Sequence, residues 1–156
     1  QVNAAASEPA FEKKPEFIIV DGYNLLFAWD ELNELAKDDL DLARTRLIDT
    51  LKSYRGFKDC ELVLVFDGYK VEGNPGERET EGIHIAYTKQ NETADMYIEK
   101  LANDIGKNYA VRVITNDSLI RLSALRSGVL RMSSGEFINE LKFAKQQIAE
   151  YLDGKR

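Results

Sequence analysis

The sequence predicts a three-layer α/β fold, with a mostly parallel central sheet and helices on both of its faces. Three observations lead there. Short apolar runs alternate along the chain with segments of helical periodicity, the order that builds parallel sheets. One run, Leu62–Phe66 (LVLVF), is apolar at every position, as suits a strand covered on both faces. Acidic residues stand directly behind three of the runs, at the edge where open parallel sheets form their sites. The 156 residues suit one domain. A fold of that size buries about 68–70% of its unfolded surface, enough for a core without covalent staples.

Residues 1–15 are Ala-rich, hold two prolines and show no periodicity, so they read as a flexible linker or a remnant of expression. The folded domain is placed at 16–153. Phe17–Val20 is too short for a helix and rich in β-branched residues, which makes it the first strand. A helix is expected from about Leu25 to Lys37. Leu40, Ala43, Leu47, Leu51 and Tyr54 then recur at three- and four-residue steps, one face of a second helix. Asp38, Asp39 and Asp41 crowd its start, where the helix dipole favours negative charge, and Gly56 is expected to end it.

Leu62–Phe66 is the second strand, and residues 68–81, with three glycines and a proline, read as a long loop. Ile83–Tyr87 is a weaker strand. Ala94, Tyr97, Ile98, Leu101, Ala102 and Ile105 form a helical stripe. Val111–Thr115 is a strand, Leu119–Arg126 a helix with Gly128 past its end, and Val129–Met132 a last short strand. Ser133 and Glu136 have capping-box spacing ahead of Phe137, Leu141, Ala144 and Ile148 on one helical face.

Composition removes several function classes. The single cysteine, Cys60, excludes an internal disulfide framework and a Cys-based zinc site within one chain. The single histidine, His84, weakens any His-rich metal site; on its strand it reads as structural. The start lacks the basic and apolar regions of a signal peptide. No apolar run approaches the roughly 18 residues of a membrane span. No membrane partner is therefore expected, and a cytoplasmic location is. The net charge of −6 disfavours a globally basic nucleic-acid binder. Residues 107–156, however, hold nine Lys/Arg against five Asp/Glu, and residues 1–106 hold twelve against twenty-two. An acidic body with a basic end remains compatible with a local phosphate-binding surface. No GxxxxGK[ST] loop is present and no GxGxxG follows the first strand, so an NTPase and a dinucleotide-binding fold are both disfavoured.

Asp21 follows FIIV, Asp67 follows LVLVF, and Asn116 and Asp117 follow VRVIT. Each has a simpler reading alone. Asp21-Gly22 and Asp67-Gly68 suit tight turns, and Asp117 suits a helix N-cap. Those readings leave the shared edge unexplained. A fourth carboxylate, Asp95, sits in the first turn of a helix beside its apolar stripe, and Glu92 three residues earlier suits dipole compensation. Converging carboxylates repel and stay ionised only beside a cation. Hard oxygen ligands suit Mg²⁺ or Mn²⁺, which lower the pKa of bound water and neutralise charge on a phosphate.

Phe17-Ile18-Ile19-Val20-Asp21-Gly22-Tyr23-Asn24 resembles the opening of NYN domains, a branch of the PIN-like nucleases, and of the YacP-like group in particular. Phe66-Asp67-Gly68, Glu92-Thr93-Ala94-Asp95 and Thr115-Asn116-Asp117 fall where that group places its later motifs. The resemblance implies a PIN-like fold, a divalent metal and endoribonuclease activity. By position, Asp21, Asp67, Asp95 and Asp117 become metal-site and catalytic residues, and Asn24 a polar positioning residue. Asn116 departs from the small serine-like residue expected before the last aspartate. YacP-like domains also occur appended to translational-GTPase-like proteins, which implies the ribosome and a preceding domain as partners.

Single-stranded RNA binding wants cations along its path and aromatic faces for stacking. Lys70, Arg78, Lys89, Arg121 and Arg126, with Arg131 behind them, flank the acidic positions in sequence. Tyr23 and Tyr69 suit base stacking or core packing equally. Trp29 reads as core or a partner contact, and Cys60 as a small buried residue. Two other functions compete with a metal-dependent endoribonuclease: a catalytically inactive PIN-like module that binds RNA or the ribosome, and a receiver-like signalling domain. Receivers pair their acids with a lysine after a late strand, which Thr115-Asn116-Asp117-Ser118 lacks.

Overall fold

The computed structural model describes residues 14–68, 71, 73–117 and 129–154. Along the described chain run β1 (Glu16–Asp21), α1 (Gly22–Ala28), α2 (Asp30–Asp38), α3 (Leu40–Lys58) and β2 (Glu61–Phe66). They are followed by β3 (Glu77–Thr80), β4 (Ile83–Tyr87), α4 (Ala94–Ile105), β5 (Ala110–Ile114), β6 (Val129–Met132) and α5 (Ser134–Gly154). The strands form one sheet in the order β3-β4-β2-β1-β5-β6. All neighbours are parallel except β3, which pairs antiparallel with β4 at the edge. This is the mostly parallel sheet that the apolar runs predict.

Two apolar layers sandwich the sheet, because successive strand residues point to opposite faces. Ile18, Val20, Leu62, Leu64, Phe66, Ile83 and Ile85 pack on one side with Leu47, Leu51 and Tyr54 of α3 and Phe137 and Leu141 of α5. Ile19, Val63, Val65, Val111 and Val113 pack on the other with Ala94, Ile98 and Ala102 of α4. That accounts for the unbroken apolar character of LVLVF. Cys60 is buried as expected. Among the described residues, no helix is long and apolar enough to cross a membrane.

Several boundaries differ from the sequence reading. The helix expected from Leu25 to Lys37 begins earlier, at Gly22, and is two helices. Trp29 separates them with an extended backbone (φ −95°, ψ 109°), and its carbonyl accepts from the N–H of Asn33 at 2.8 Å. Asp39 caps α3 by accepting from the N–H of Leu42 at 3.0 Å. Gly56 does not end that helix; it lies inside it, and the turn-off is made by Asp59 in the left-handed region (φ 56°). Part of the expected loop 68–81 is strand β3. Its residues Glu77-Arg78-Glu79-Thr80 are polar throughout, so no alternation marked them, and charge on an edge strand discourages pairing with another chain. Glu81 (φ 45°) and Gly82 (φ 87°) make the two-residue turn between paired Thr80 and Ile83. The capping box is present: Glu136 N–H donates to Ser133 Oγ and Ser133 N–H donates to Glu136 Oε1, both at 3.1 Å. The expected helix Leu119–Arg126, and most of the expected linker, lie outside the described residues.

Two glycines of the α1–α3 layer should respond oppositely to a methyl group. A Cβ at Gly22 would meet Phe66 Cε1 at 2.5 Å and the carbonyl oxygen of Val65 at 2.8 Å. Gly22→Ala should therefore cost about 1–3 kcal/mol through overpacking. A Cβ at Gly56 would meet nothing within 4 Å, so Gly56→Ala should stabilise by about 0.5–1 kcal/mol from helix propensity. Urea unfolding of both variants checks the pair.

Candidate active site

β1 is the central strand, with β2 on one side and β5 on the other. The chain winds outward from β1 through β2 to β4, then crosses back to β5 and β6. The direction reverses between β1 and β5, and such a switch point opens a crevice at the carboxyl ends of the strands. Asp21 is the last residue of β1, in register with Val65 of β2. Asp67 directly follows β2. Asp117 lies three residues beyond Ile114, the register partner of Val20. Asp95 enters from the first turn of α4. Four segments thus bring four aspartates to one edge.

Their surroundings confirm that they feel one another. Asp21 is only 9% exposed. Burial pushes its carboxyl up to about 6 against a hydrogen bond from Thr115, and the charges of Asp67 and Asp117 add to the rise. The Asp95 carboxyl is also held well above the usual carboxylate range. Burial is the largest cause, followed by a hydrogen bond shared with Asp117 and then by the charges of Asp117, Asp21 and Asp67. Close like charges favour the neutral form of a carboxyl in this way.

Each aspartate is fixed from behind. Thr115 Oγ1 donates to Asp21 Oδ2 at 3.1 Å and accepts from the N–H of Asp117 at 3.0 Å, so one buried hydroxyl holds the Asp21 carboxylate and the backbone at Asp117. Asp67 Oδ1 accepts from the N–H of Ala94 at 2.9 Å. That bond docks the N-terminus of α4 on the end of β2 and brings Asp95 to the edge, while Thr93 Oγ1 caps the same helix through the N–H of Met96. Arg131 Nη1 donates to the Asp117 carbonyl at 3.2 Å. Gly68 is required by close approach rather than by a turn, since a Cβ there would lie 1.9 Å from the carbonyl oxygen of Thr88.

Asn24 does have a positioning geometry. Its Oδ1 accepts from the N–H of Asn116 at 2.9 Å and from Ser134 Oγ at 2.7 Å. Asn116 Oδ1 in turn accepts from the N–H of Ser134 at 2.9 Å. This knot ties α1, the segment after β5 and the start of α5 together. It also commits the Asn116 oxygen to structure. Sequence reasoning missed Thr115 and Ser134 as site residues. Thr115 was legible only as a strand end, although its spacing of two from Asp117 suits the bond it makes. Ser134, fully buried, gives no signal beyond its neighbour's capping box.

Other expected residues fall as follows. Lys89 is exposed just beyond β4, close to the α4 start, and Arg78 is exposed on the edge strand β3. Lys70, Arg121 and Arg126 lie outside the described residues, as does Tyr69. Tyr23 is buried in the core, where its hydroxyl accepts from Arg44 Nη1 at 2.9 Å, so of its two readings the core one holds. His84 faces Glu77 at 3.2 Å across β3 and β4, away from the aspartates. A groove of about 280 Å³ between α3 and α5, lined by Thr50, Ser53, Tyr54, Leu141, Ala144 and Ile148 among others, contains none of the aspartates.

The donor set consists of hard carboxylate oxygens, with His84 and Cys60 elsewhere, and so fits Mg²⁺ or Mn²⁺ better than zinc. Among the described residues, no three His, Cys, Asp or Glu side chains stand close enough together to hold an ion. The four carboxylates converge without forming a closed cage.

Comparison with known proteins agrees with this architecture. Residues 18–156 match the family described as the YacP-like NYN domain. The Bacillus subtilis (strain 168) protein YacP is 32% identical over 135 residues, covering 85% of this chain and 79% of its own. The crystal structure of Rae1 (YacP) from Bacillus subtilis is similar at a TM-score of 0.76 and 29% identity, covering 88% of this chain and 80% of that one. A single-residue variant of it gives 0.73 at 29% identity, covering 86% and 80%.

The raised carboxyls fix a pH dependence. Asp21 titrates near 6 when folded against 3.8 as its ordinary value. The folded state therefore binds the proton more tightly, and the stabilisation is complete below about pH 4 and lost as pH rises through 6. Holding Asp21 ionised at pH 8 costs on the order of 3 kcal/mol. In chelator, the melting temperature should rise as pH falls from 8 to 5.5, and Asp21→Asn should melt higher than the parent at pH 8. Thermal melts of both proteins across that range check the sign.

Proposed function

The chain belongs to the YacP-like NYN domain family, a branch of the PIN-like nucleases, and on that premise we propose that it is a divalent-metal-dependent endoribonuclease. Its reaction is hydrolysis of phosphodiester bonds in single-stranded RNA. The observation that supports this most is the convergence of Asp21, Asp67, Asp95 and Asp117 at one sheet edge, where burial and mutual repulsion raise the carboxyl pKa values. Sites that shift pKa values by desolvation and like charge are characteristic of catalysis.

Asp21, Asp67, Asp95 and Asp117 would hold Mg²⁺ or Mn²⁺. Such an ion lowers the pKa of bound water and offsets charge on the phosphate. The chain's own part is preorganisation. Thr115 spaces Asp21 from Asp117. Asp67 holds α4 in place through Ala94. A proton held by the raised Asp95 carboxyl would have to leave before that group could act as a ligand. Asn24, Asn116 and Ser134 keep the elements behind these groups from shifting, which matters because small misplacements cost large factors in rate.

The acidic body limits affinity for naked RNA. Lys70, Arg78, Lys89, Arg121 and Arg126 are the proposed phosphate contacts, and so few give weak, salt-sensitive binding. A larger assembly that presents the strand would make up the deficit. The ribosome, with a translational-GTPase-like domain ahead of this one in a longer chain, is the proposed partner, and the cytoplasm the proposed location. The second reading, a module that binds RNA or the ribosome without cutting, draws its support from the open arrangement of the four carboxylates.

Incubation of single-stranded RNA with Mn²⁺ separates the two. Cleavage should appear with Mn²⁺, vanish in chelator, and fall by roughly three orders of magnitude in Asp21→Asn, as for the removal of a residue central to a catalytic unit. Mn²⁺ at 100 times its Kd should also stabilise the protein by about 2.7 kcal/mol. Undiminished cleavage by Asp21→Asn would overturn the site assignment.

A further inference from the structure

Arg131, on the edge strand β6, reaches the acidic segment directly: its Nη1 donates to the carbonyl of Asp117 at 3.2 Å. The sheet register puts this side chain on the same face as the aspartates. Arg131 is the register partner of Val113, and both Val113 and Val129, two residues before Arg131, pack in the layer beneath α4. Asp21 is in register with Val65 of that same layer, and Asp95 comes from α4 itself. Side chains alternate along strands, so Arg131 and Asp21 project to one side of the sheet. β6 lies two strands from β1, about 10 Å at the usual strand spacing. The Arg131 side chain starts at the level of Val113 and ends at the Asp117 carbonyl, which brings the guanidinium to the carboxyl edge.

The strand end that carries Arg131 is held to the same segment. The Met132 carbonyl accepts from the N–H of Thr115 at 3.0 Å, and the Ser134 N–H donates to Asn116 Oδ1 at 2.9 Å. The residue itself is exposed. A guanidinium has five N–H donors, and the bond to Asp117 uses one. Among the described residues, no carboxylate lies within ion-pair distance of Arg131. The charges that act most strongly on Asp21 and Asp95 are those of the other aspartates. Arg131 therefore does not pair with the acidic centre. It is anchored on a backbone carbonyl at the flank of that centre, with its charge uncompensated and donors to spare.

We propose that Arg131 is a phosphate clamp, whose remaining N–H groups hold a phosphate of the RNA strand next to the one that is cut. The inference rests on the nuclease reading and adds a substrate contact on the β6 side of that site. A planar guanidinium meets two phosphate oxygens with parallel donors and stays charged throughout the working pH range. A strand crossing the carboxyl edge from the aspartates toward β6 passes this group. A cation there offsets the repulsion between the acidic edge and the phosphate chain, and the anchor on Asp117 fixes its distance from the site.

The test is fluorescence anisotropy of the full chain in EDTA, with all-uridine and all-adenosine ribo-octamers, over about 50 to 200 mM NaCl. Arg131→Gln should weaken both octamers about five- to tenfold at the low-salt end and reduce the slope of log K against log salt by about 0.7, the loss of one neutralised phosphate on a single strand. Arg131→Lys, which keeps the charge, should keep the slope. Calorimetric titration of Mn²⁺ separates a substrate contact from a role in placing Asp117. Arg131→Gln should bind Mn²⁺ at least as tightly as the parent, because it removes a positive charge near a cation site. Equal slopes for the parent and Arg131→Gln, a loss confined to one octamer, no binding of either octamer by the parent, or Mn²⁺ affinity falling in step with RNA affinity would overturn the proposal. Because EDTA removes any need for metal or cleavage, the two readings fail separately. A protein that shows the slope difference but cuts neither octamer in Mn²⁺ loses only the nuclease reading. One that cuts both but shows equal slopes loses only this inference.

Discussion

Four aspartates brought to one edge of a sheet, partly buried and within reach of one another's charge, are the constraint from which the rest of this structure follows. Burial and repulsion push Asp21 and Asp95 upward together, and Asp95 shares a hydrogen bond with Asp117. Such an arrangement costs stability, and a protein keeps it only where the surrounding structure over-determines it. Here the over-determination is visible. β1 has parallel partners on both sides, and its residues Ile18, Ile19 and Val20 are fully buried. The strand that ends in Asp21 is thus enclosed on both faces and both edges.

The polar framework behind the carboxylates is built with few groups. Thr115 serves Asp21 and Asp117 with one hydroxyl. Ser134 serves Asn24 with its hydroxyl and Asn116 with its N–H. A second network lies deeper between sheet and helices, where Arg112 Nη1 donates to Glu140 at 2.7 Å, Nη2 pairs with Glu16 at 3.1 Å, and Tyr54 donates to Glu140. It ties the N-terminal end of β1 to α3 and α5, opposite the acidic edge. One end of the central strand is therefore tied by an ion-pair network, and the other carries the aspartates.

The sheet was legible in the sequence where burial on both faces leaves an unbroken apolar run, as in LVLVF, and the helices where a stripe recurs, as from Ala94 to Ile105. Strand β3 was not, because Glu77-Arg78-Glu79-Thr80 owes its place to the Glu81-Gly82 turn and to pairing with β4, neither of which leaves an apolar pattern. Gly56 misled because glycine more often follows a helix than sits within one, and the left-handed position fell to Asp59. Trp29 broke a helix without glycine or proline to announce it. Asp21, Asp67 and Asp117 stood out because they follow apolar strand runs, and Asp95 because it opens a helical stripe. Thr115 and Ser134 did not, since their roles depend on partners 94 and 110 residues away in the chain.

The central claim is that the acidic edge is a cation site held apart by its own charge. The most direct measurement is calorimetric titration of Mn²⁺ in buffers of different ionisation enthalpy, at pH 6 and pH 8, which counts the protons released on binding. The raised carboxyls predict saturable binding with clear proton release at pH 6 and much less at pH 8, and a smaller release in Asp21→Asn than in the parent. Absence of saturable binding, or binding that releases no protons at pH 6, would contradict the account.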